Sequence, residues 1–135
     1  MVSTSSLSKG IQMKFLFLPC LFFFSFLTGQ SKKEQPPMKV AVVGLVHTHV
    51  HWILGREDRG DIQIVGIVES NKDLAQRYTK QHGFSMDIVY DSIEEMLEKT
   101  KPEAVYAFNT IYGHLEVIEK CAPKGIHVMV EKPLA

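Results

Sequence analysis

The sequence predicts an α/β protein built on a doubly wound parallel sheet. Runs of β-branched and small apolar residues, typical of strands buried on both faces, alternate along residues 38–135 with amphipathic helical patterns. The first of these runs also ends in a glycine that leads directly into a helix. This alternation predicts Rossmann-type βαβ units with five strands and four helices. A sheet of this kind binds its ligand outside the carboxyl ends of the strands.

The first two strand–helix units occupy residues 38–83. The stretch MKVAVVG predicts the first strand, and a helix over about residues 48–57 follows it. The stretch DIQIVGIVES predicts a second strand that ends at Glu69. The next helix has marked ends, because Asn71 is a capping residue and Gly83 can adopt the left-handed conformation that terminates helices.

The remaining units complete the predicted sheet. FSMDIVY is a short strand, and DSIEEMLEKT is a helix capped by Asp91 or Ser92 that presents Ile93, Met96 and Leu97 on one face. KPEAVYAFNT predicts a fourth strand, YGHLEVIEKCAPKG a fourth helix and IHVMVE a fifth strand. By analogy with other sheets of this class, the expected strand order is 3-2-1-4-5.

Residues 1–31 have the composition of a secretory signal peptide. Lys14 precedes an apolar run that is shorter than the roughly 20 residues of a membrane-spanning helix, and small residues follow it. We expect cleavage after Ser31, with Met13 as an alternative start, and a polar linker at residues 32–37. The protein is therefore expected to be exported to the periplasm or another extracytoplasmic space. An uncleaved membrane anchor at this segment is the alternative.

Charge and cysteine content exclude several classes of partner. Two of the 15 basic residues, Lys9 and Lys14, precede residue 32, so the remainder carries 13 basic and 15 acidic residues. This balance indicates neither nucleic acid nor an anionic membrane surface as a partner. After cleavage Cys121 is the one remaining thiol, so no intrachain disulfide can form, and its apolar neighbours predict a small core residue.

The turn after the first strand partly matches a dinucleotide-binding turn of the form G-x-G-x-x-G. Gly44 stands at the first glycine position, but Val46 and His49 stand at the second and third. The second glycine normally lets the backbone approach the pyrophosphate, and the third permits close packing of helix on strand. The strand–turn–helix context remains, and its helix N-terminus offers N–H donors to an anion.

Glu69 at the end of the second strand supports a dinucleotide site. An acid about 20 residues beyond the glycine turn is placed to accept hydrogen bonds from the ribose hydroxyls of the adenosine. Its carboxylate would repel the 2′-phosphate of NADP and so favours NAD, although nearby Lys72 leaves NADP open. The alternative interpretation is a solvated strand end.

The HTHVH segment raises the question of a metal. His47 and His51, four residues apart, would share one helix face as zinc-binding pairs do, with His114 as a third ligand if the fold brings it close. No other ligand is apparent, so we expect no metal site. Hydrogen bonds from these histidines to backbone or substrate explain them better, and Trp52 is interpreted as a packing residue of the first helix.

The final residues resemble a known family. In the stretch EAVYAFNTIYGHLEVIEKCAPKGIHVMVEKPLA, a series of residues matches without gaps the pattern of the glucose–fructose oxidoreductase and inositol dehydrogenase (Gfo/Idh/MocA) family; these are His114, Gly125, His127, Val128, Glu131, Lys132 and Pro133. The stretches MKVAVVG and IVGIVESNKDLAQRY match the first two βα units of the same family. Ile126 in place of lysine, and Asn109-Thr110 in place of Thr-Pro, depart from the pattern.

The resemblance implies a nicotinamide-binding domain of an oxidoreductase that moves hydride between NAD, with NADP not excluded, and a sugar or polyol-like substrate. Lys132 would be the catalytic residue and His114 would lie on the substrate side. The implied cofactor-binding residues are Gly44, Val46, His47, Glu69, Asn109, Thr110, Glu131 and Pro133.

The family's domain organisation leaves the activity of the chain open. Family members carry a second, C-terminal α/β domain that supplies further catalytic groups and subunit contacts. We expect that domain to be absent from this chain, leaving residues 38–135 as an incomplete Rossmann domain, with homo-oligomers only where the second domain exists. An exported, non-catalytic sugar- or nucleotide-binding module that kept the fold is the alternative function.

Overall fold

The computed structural model describes residues 35–134, so the predicted signal peptide and the first half of the linker lie outside the described residues. All five strands pair in parallel in the order β3-β2-β1-β4-β5, which confirms the predicted order. The elements are β1 Met38–Val43, α1 Val50–Leu54, β2 Ile62–Val68, α2 Lys72–His82, β3 Val89–Tyr90, α3 Ile93–Thr100, β4 Ala104–Ala107, α4 Ile111–Cys121 and β5 His127–Val130. Between residues 35 and 134, no helix has the length and apolarity to cross a bilayer.

The central strand β1 is buried on both faces of the sheet. Side chains alternate across a strand, so Ala41 and Val43 enter the core under α3 and α4, whereas Val42 enters the core under α1 and α2. The expected core residue Cys121 is fully buried in the first of these two cores. The continuous apolar run at 40–43 therefore reflects helices on both sides, as predicted for a doubly wound sheet.

The predicted helix caps of α2 and α3 are confirmed. The side-chain oxygen of Asn71 accepts a hydrogen bond from the N–H of Leu74, and Gly83 closes α2 with a φ of 78°. Ser92, rather than Asp91, caps α3 through a bond from the Glu95 N–H at 3.2 Å. The predicted inward face of α3, formed by Ile93, Met96 and Leu97, is buried. Each cap satisfies a backbone donor or acceptor that the helix leaves free.

The first helix and the third strand are shorter than predicted, and the fourth strand is limited to Ala104–Ala107. The first helix ends at Leu54 because Gly55 caps it, with the Gly55 N–H donating to the carbonyl of His51. The third strand shrinks to Val89–Tyr90 because the Ser85 hydroxyl accepts from the Asp87 N–H and starts a single 3₁₀ turn. The Ser85 side-chain bond competes with an extended strand, whereas α1 ends because Gly55 leaves the helical conformation, with φ −100° and ψ 6°.

The prediction that Trp52 packs inside α1 is wrong. Its side chain is 70% exposed, whereas Val50 is buried and Ile53 and Leu54 pack against the core. With 3.6 residues per turn, those three positions share one face of α1 and Trp52 lies on the opposite side. The indole ring instead stacks on the His49 imidazole, with ring centroids 3.8 Å apart.

Candidate functional site

The predicted site residues converge on one edge of the sheet. All strands run in the same direction, so the segments that follow β1, β2, β4 and β5 meet at their carboxyl ends. A cleft of about 310 Å³ opens there, and its lining includes Gly44, Val46, Glu69, Asn109 and Thr110. A larger groove of about 700 Å³ lies between α3 and α4; it shares Glu94 and Lys120 with the cleft but contains none of the predicted site residues.

Gly44 brings the turn after β1 directly against the end of β4. Its φ is 82°, a conformation that residues with a side chain rarely adopt. A Cβ at this position would lie 2.5 Å from the Asn109 Cα and 2.7 Å from the Asn109 nitrogen. The first glycine of the predicted turn is therefore required twice, by the backbone conformation and by the close approach of β4.

Glu69 supports the same turn from the end of β2. The side chain is only 8% exposed, and its two carboxylate oxygens accept from the N–H of Leu45 at 3.1 Å and the N–H of Asn71 at 2.9 Å. Each carboxylate oxygen can accept more than one hydrogen bond, so the ribose-binding role predicted for Glu69 remains chemically compatible. The bond to the turn is an additional function that the sequence did not reveal.

Several N–H groups of the turn already donate within the protein. The His47 N–H donates to the carbonyl of Phe108 at 3.1 Å, and the His49 N–H donates to the Nδ1 atom of His47 at 3.2 Å. Together with the Leu45 bond, these contacts leave the N–H groups of Val46 and Thr48 without a hydrogen bond to any described residue. The turn thus offers an anion fewer donors than the sequence pattern suggests.

The segment Glu131-Lys132-Pro133 is held in place by two imidazole rings. The Nδ1 atom of His49 lies 2.8 Å from Oε1 of Glu131, and this hydrogen bond lowers the pKa of Glu131 below its usual value. On the other side, the Nδ1–H of His114 donates to the carbonyl of Pro133 at 3.1 Å. Lys132 lies between these two anchored residues, and it is exposed.

The predicted substrate-side residue His114 is almost completely buried. Its exposed fraction is 1%, and its Nε2 atom has no hydrogen-bond partner among the described residues. The ring contacts the Pro133 carbonyl and so positions the segment that carries Lys132. A direct contact of His114 with substrate stays a prediction.

Asn109, which lines the cleft, also carries an unpartnered polar atom. Its side-chain oxygen is buried and has no hydrogen-bond partner between residues 35 and 134. Gly113 makes room for this amide, because a Cβ there would collide with the Asn109 side-chain nitrogen. A buried acceptor without a partner suits the carboxamide N–H of a nicotinamide, so the predicted role of Asn109 fits the group. Gly113 was missed because a glycine inside a helix has no distinctive sequence signal.

The histidines do not form the His47–His51 pair that was considered as a zinc site. His51 turns towards α2, where its Nδ1 lies 2.8 Å from Nε2 of His82 and its ring stacks on Tyr78. His47 and His49 instead group with Glu131. The pairing of His47 with His51 is therefore wrong, because the short α1 directs the two rings to different neighbours.

The sequence that forms this sheet matches one protein family. The profile of an oxidoreductase family with an NAD-binding Rossmann fold, Gfo/Idh/MocA, covers residues 38–135. The chain belongs to this family. It carries the family's NAD-binding domain, and the glycine cradle at Gly44 and the unpartnered Asn109 oxygen fit the cofactor.

Individual Gfo/Idh/MocA relatives resemble the chain over its NAD-binding domain. The D-glucoside 3-dehydrogenase of Escherichia coli K12 is 28% identical over 112 residues, which are 78% of this chain and 30% of that protein. A dehydrogenase structure from Chromobacterium violaceum is 28% identical, with a TM-score of 0.61 and coverage of 75% of this chain and 29% of the other.

A more distant solved structure shows the same fold. The scyllo-inositol dehydrogenase of Lactobacillus casei, determined with NAD(H) and scyllo-inositol, is 22% identical with a TM-score of 0.61. The match covers 73% of this chain and 29% of that structure. The chain therefore spans about 30% of the length of the relatives it matches.

Proposed function

We propose that this chain forms the cofactor-binding domain of an oxidoreductase that oxidises or reduces a carbinol carbon of a sugar or polyol-like substrate. The observation that carries the proposal is the convergence of the Gly44 turn, the Glu69 carboxylate and the anchored segment around Lys132 at one sheet edge. The similarity to sugar and inositol dehydrogenases supports the substrate class.

Each side chain of the site has a separable role in this proposal. NAD, when bound, supplies the acceptor for the hydride that leaves the substrate carbon. Glu69 accepts from the ribose hydroxyls, and its charge disfavours a 2′-phosphate at that place. The neutral amine form of Lys132 accepts a hydrogen bond from the substrate hydroxyl and takes up its proton as the C–H bond breaks, which accounts for the one hydride and one proton that leave the substrate. The Glu131 and Pro133 contacts fix the lysine backbone.

Cofactor binding is tested by titrating NADH into the full chain and following its tryptophan fluorescence. Trp52 is the only tryptophan and lies against His49 at the turn, so bound NADH would accept its excitation energy. We expect a dissociation constant in the micromolar range and at least about tenfold weaker binding of NADPH, given the carboxylate of Glu69. Absence of binding by the folded chain would favour the alternative of a non-catalytic module that kept the fold.

Catalysis is tested with Lys132→Met in the full-length gene product, with NADH formation from sugars and cyclitols as the readout. Removal of a proton-transfer group is expected to lower kcat by about 10²–10⁴-fold. Lys124→Met is the matched control, because Lys124 precedes the amino end of β5 and does not line the cleft. Equal turnover of the two variants would show that Lys132 takes no part in the proton transfer.

Export is proposed from the sequence of residues 1–31. Mass spectrometry of the protein recovered from its native compartment measures the N-terminus directly. We expect cleavage after Ser31, and a mature protein that retains residues 14–31 would instead support the membrane-anchor alternative.

A further inference from the structure

A cluster of potential metal ligands lies where the turn after β1 meets the end of β5. His47, His49 and Glu131 each offer one ligand atom, and these atoms all lie within 4.8 Å of one another. The expectation of no metal site rested on the lack of further apparent ligands for the pair His47 and His51. The structure provides a different set, in which two ligands come from the turn and the third comes from a distant strand end.

The spacing of the cluster suits a small transition-metal ion. Zinc binds imidazole nitrogen and carboxylate oxygen at 2.0–2.2 Å, so tetrahedral ligand atoms lie about 3.3 Å apart. The separation of 2.8 Å between His49 Nδ1 and Glu131 Oε1 and the 4.8 Å limit of the whole cluster bracket that value. Small side-chain rotations would therefore bring all three atoms to bonding distance.

The backbones that carry the ligands are fixed to the sheet. The His47 N–H donates to the carbonyl of Phe108, and the Glu131 N–H donates to the carbonyl of Ala107 at 3.3 Å. The His49 ring is stacked on Trp52. If His47 coordinates through Nδ1, the ion replaces two contacts, the bond of 3.2 Å from the His49 N–H and the contact of 2.8 Å between His49 Nδ1 and Glu131. Ordered ligands lose little conformational entropy on binding.

We propose that His47, His49 and Glu131 bind one divalent transition-metal ion of the zinc class and leave at least one coordination position open. Two imidazoles and one carboxylate form the ligand set of open three-residue sites in proteins, and imidazole selects Zn²⁺, Co²⁺ and Ni²⁺ over Mg²⁺ and Ca²⁺. The open position is available to water or to an oxygen of a bound ligand, because neither His49 nor Glu131 is fully buried.

The test is a titration of the untagged full chain with Co²⁺, followed by its visible absorption, and with Zn²⁺ by calorimetry. We expect one ion per chain and the absorption of a low-symmetry cobalt site. His49→Ala and Glu131→Gln should each weaken binding by at least about tenfold, since loss of even an outer-sphere partner of a metal ligand costs 10–100-fold. Glu131→Gln keeps the size of the side chain and so preserves the fold.

The matched control uses the second histidine pair of the chain. His51 and His82 bond to each other and contribute nothing to the cluster, so the double variant His51→Ala/His82→Ala should bind Co²⁺ like the parent. Loss of binding in this control with retention in Glu131→Gln would overturn the proposal, as would absence of Co²⁺ binding by the folded parent. The readout does not involve NADH, so the proposal stands or fails independently of the proposed function.

Discussion

Substitution of Gly44 by alanine tests whether the turn after β1 depends on its close approach to β4. A positive φ costs a residue with a Cβ about 1–2 kcal/mol. The new Cβ would also meet backbone atoms of Asn109 at 2.5–2.7 Å, and relief of such overpacking typically costs a further 1–3 kcal/mol. We therefore expect Gly44→Ala to lower the free energy of unfolding by about 2–5 kcal/mol.

Gly83→Ala provides the matched control for this prediction. Gly83 has almost the same φ, 78°, but a Cβ there meets no atom within 4 Å, so only the conformational cost applies. The gain from a stiffer unfolded chain is common to both alanines and cancels in the comparison. Urea unfolding followed by circular dichroism should show the Gly44 variant less stable than the Gly83 variant by about 1–3 kcal/mol.

The same pair of variants links the turn to the cofactor. Movement of Asn109 away from a Cβ at position 44 would distort the cleft, so NADH should bind the folded Gly44 variant at least about tenfold more weakly than the Gly83 variant. Unfolding free energies that agree within about 0.5 kcal/mol would refute the steric argument and leave φ as the sole reason for a glycine.

Three further predictions concern buried polar groups. Glu69→Gln leaves one of two backbone N–H groups without a suitable acceptor, so unfolding in urea should require about 1–3 kcal/mol less, and an unchanged midpoint would contradict the observed bonds. Desolvation, together with the neighbouring His51, lowers the pKa of His82 in the folded protein. The free energy of unfolding should therefore fall as pH drops below about 6.5. His82→Gln should reduce this fall when unfolding is measured at a series of pH values. Burial raises the pKa of the Cys121 thiol. In the Cys20→Ser variant, where Cys121 is the one thiol, Ellman's reagent should therefore react only after denaturation. Rapid reaction of the native protein would be inconsistent with the burial of Cys121.

The fold was predictable because its signals are local and agree with one another. Asn71 and Gly83 mark both ends of α2, and the apolar run of β1 requires helices on both faces of the sheet. The helix predicted at α1 was too long because the chain leaves the helical conformation at Gly55, and the strand predicted at β3 was too long because the Ser85 side chain starts a 3₁₀ turn. The orientation of Trp52 could not be predicted, because the sequence does not show that α1 has fewer than two turns.

The site was predictable in membership but not in its internal bonds. Parallel strands bring the residues after their carboxyl ends together, so Gly44, Glu69 and Lys132 could be assigned to one edge from their places in the pattern. The contact between His49 and Glu131 joins residues 82 positions apart, and no sequence periodicity encodes such a pair. The burial of His114 under Pro133 is of the same kind, since it depends on how α4 meets β5.

The loss of two glycines from the turn has a different meaning once its hydrogen bonds are known. The third glycine normally permits close packing of helix on strand, and here that packing is kept because the His49 ring turns outwards to Glu131 while Val50 is buried. The second position, Val46, is 56% exposed at the mouth of the cleft, and its N–H is one of two in the turn with no described partner. Gly44 and Glu69 already hold the backbone of the turn in place. The affinity for a pyrophosphate therefore depends on whether it can pass the isopropyl group of Val46, and not on a change in the backbone of the turn.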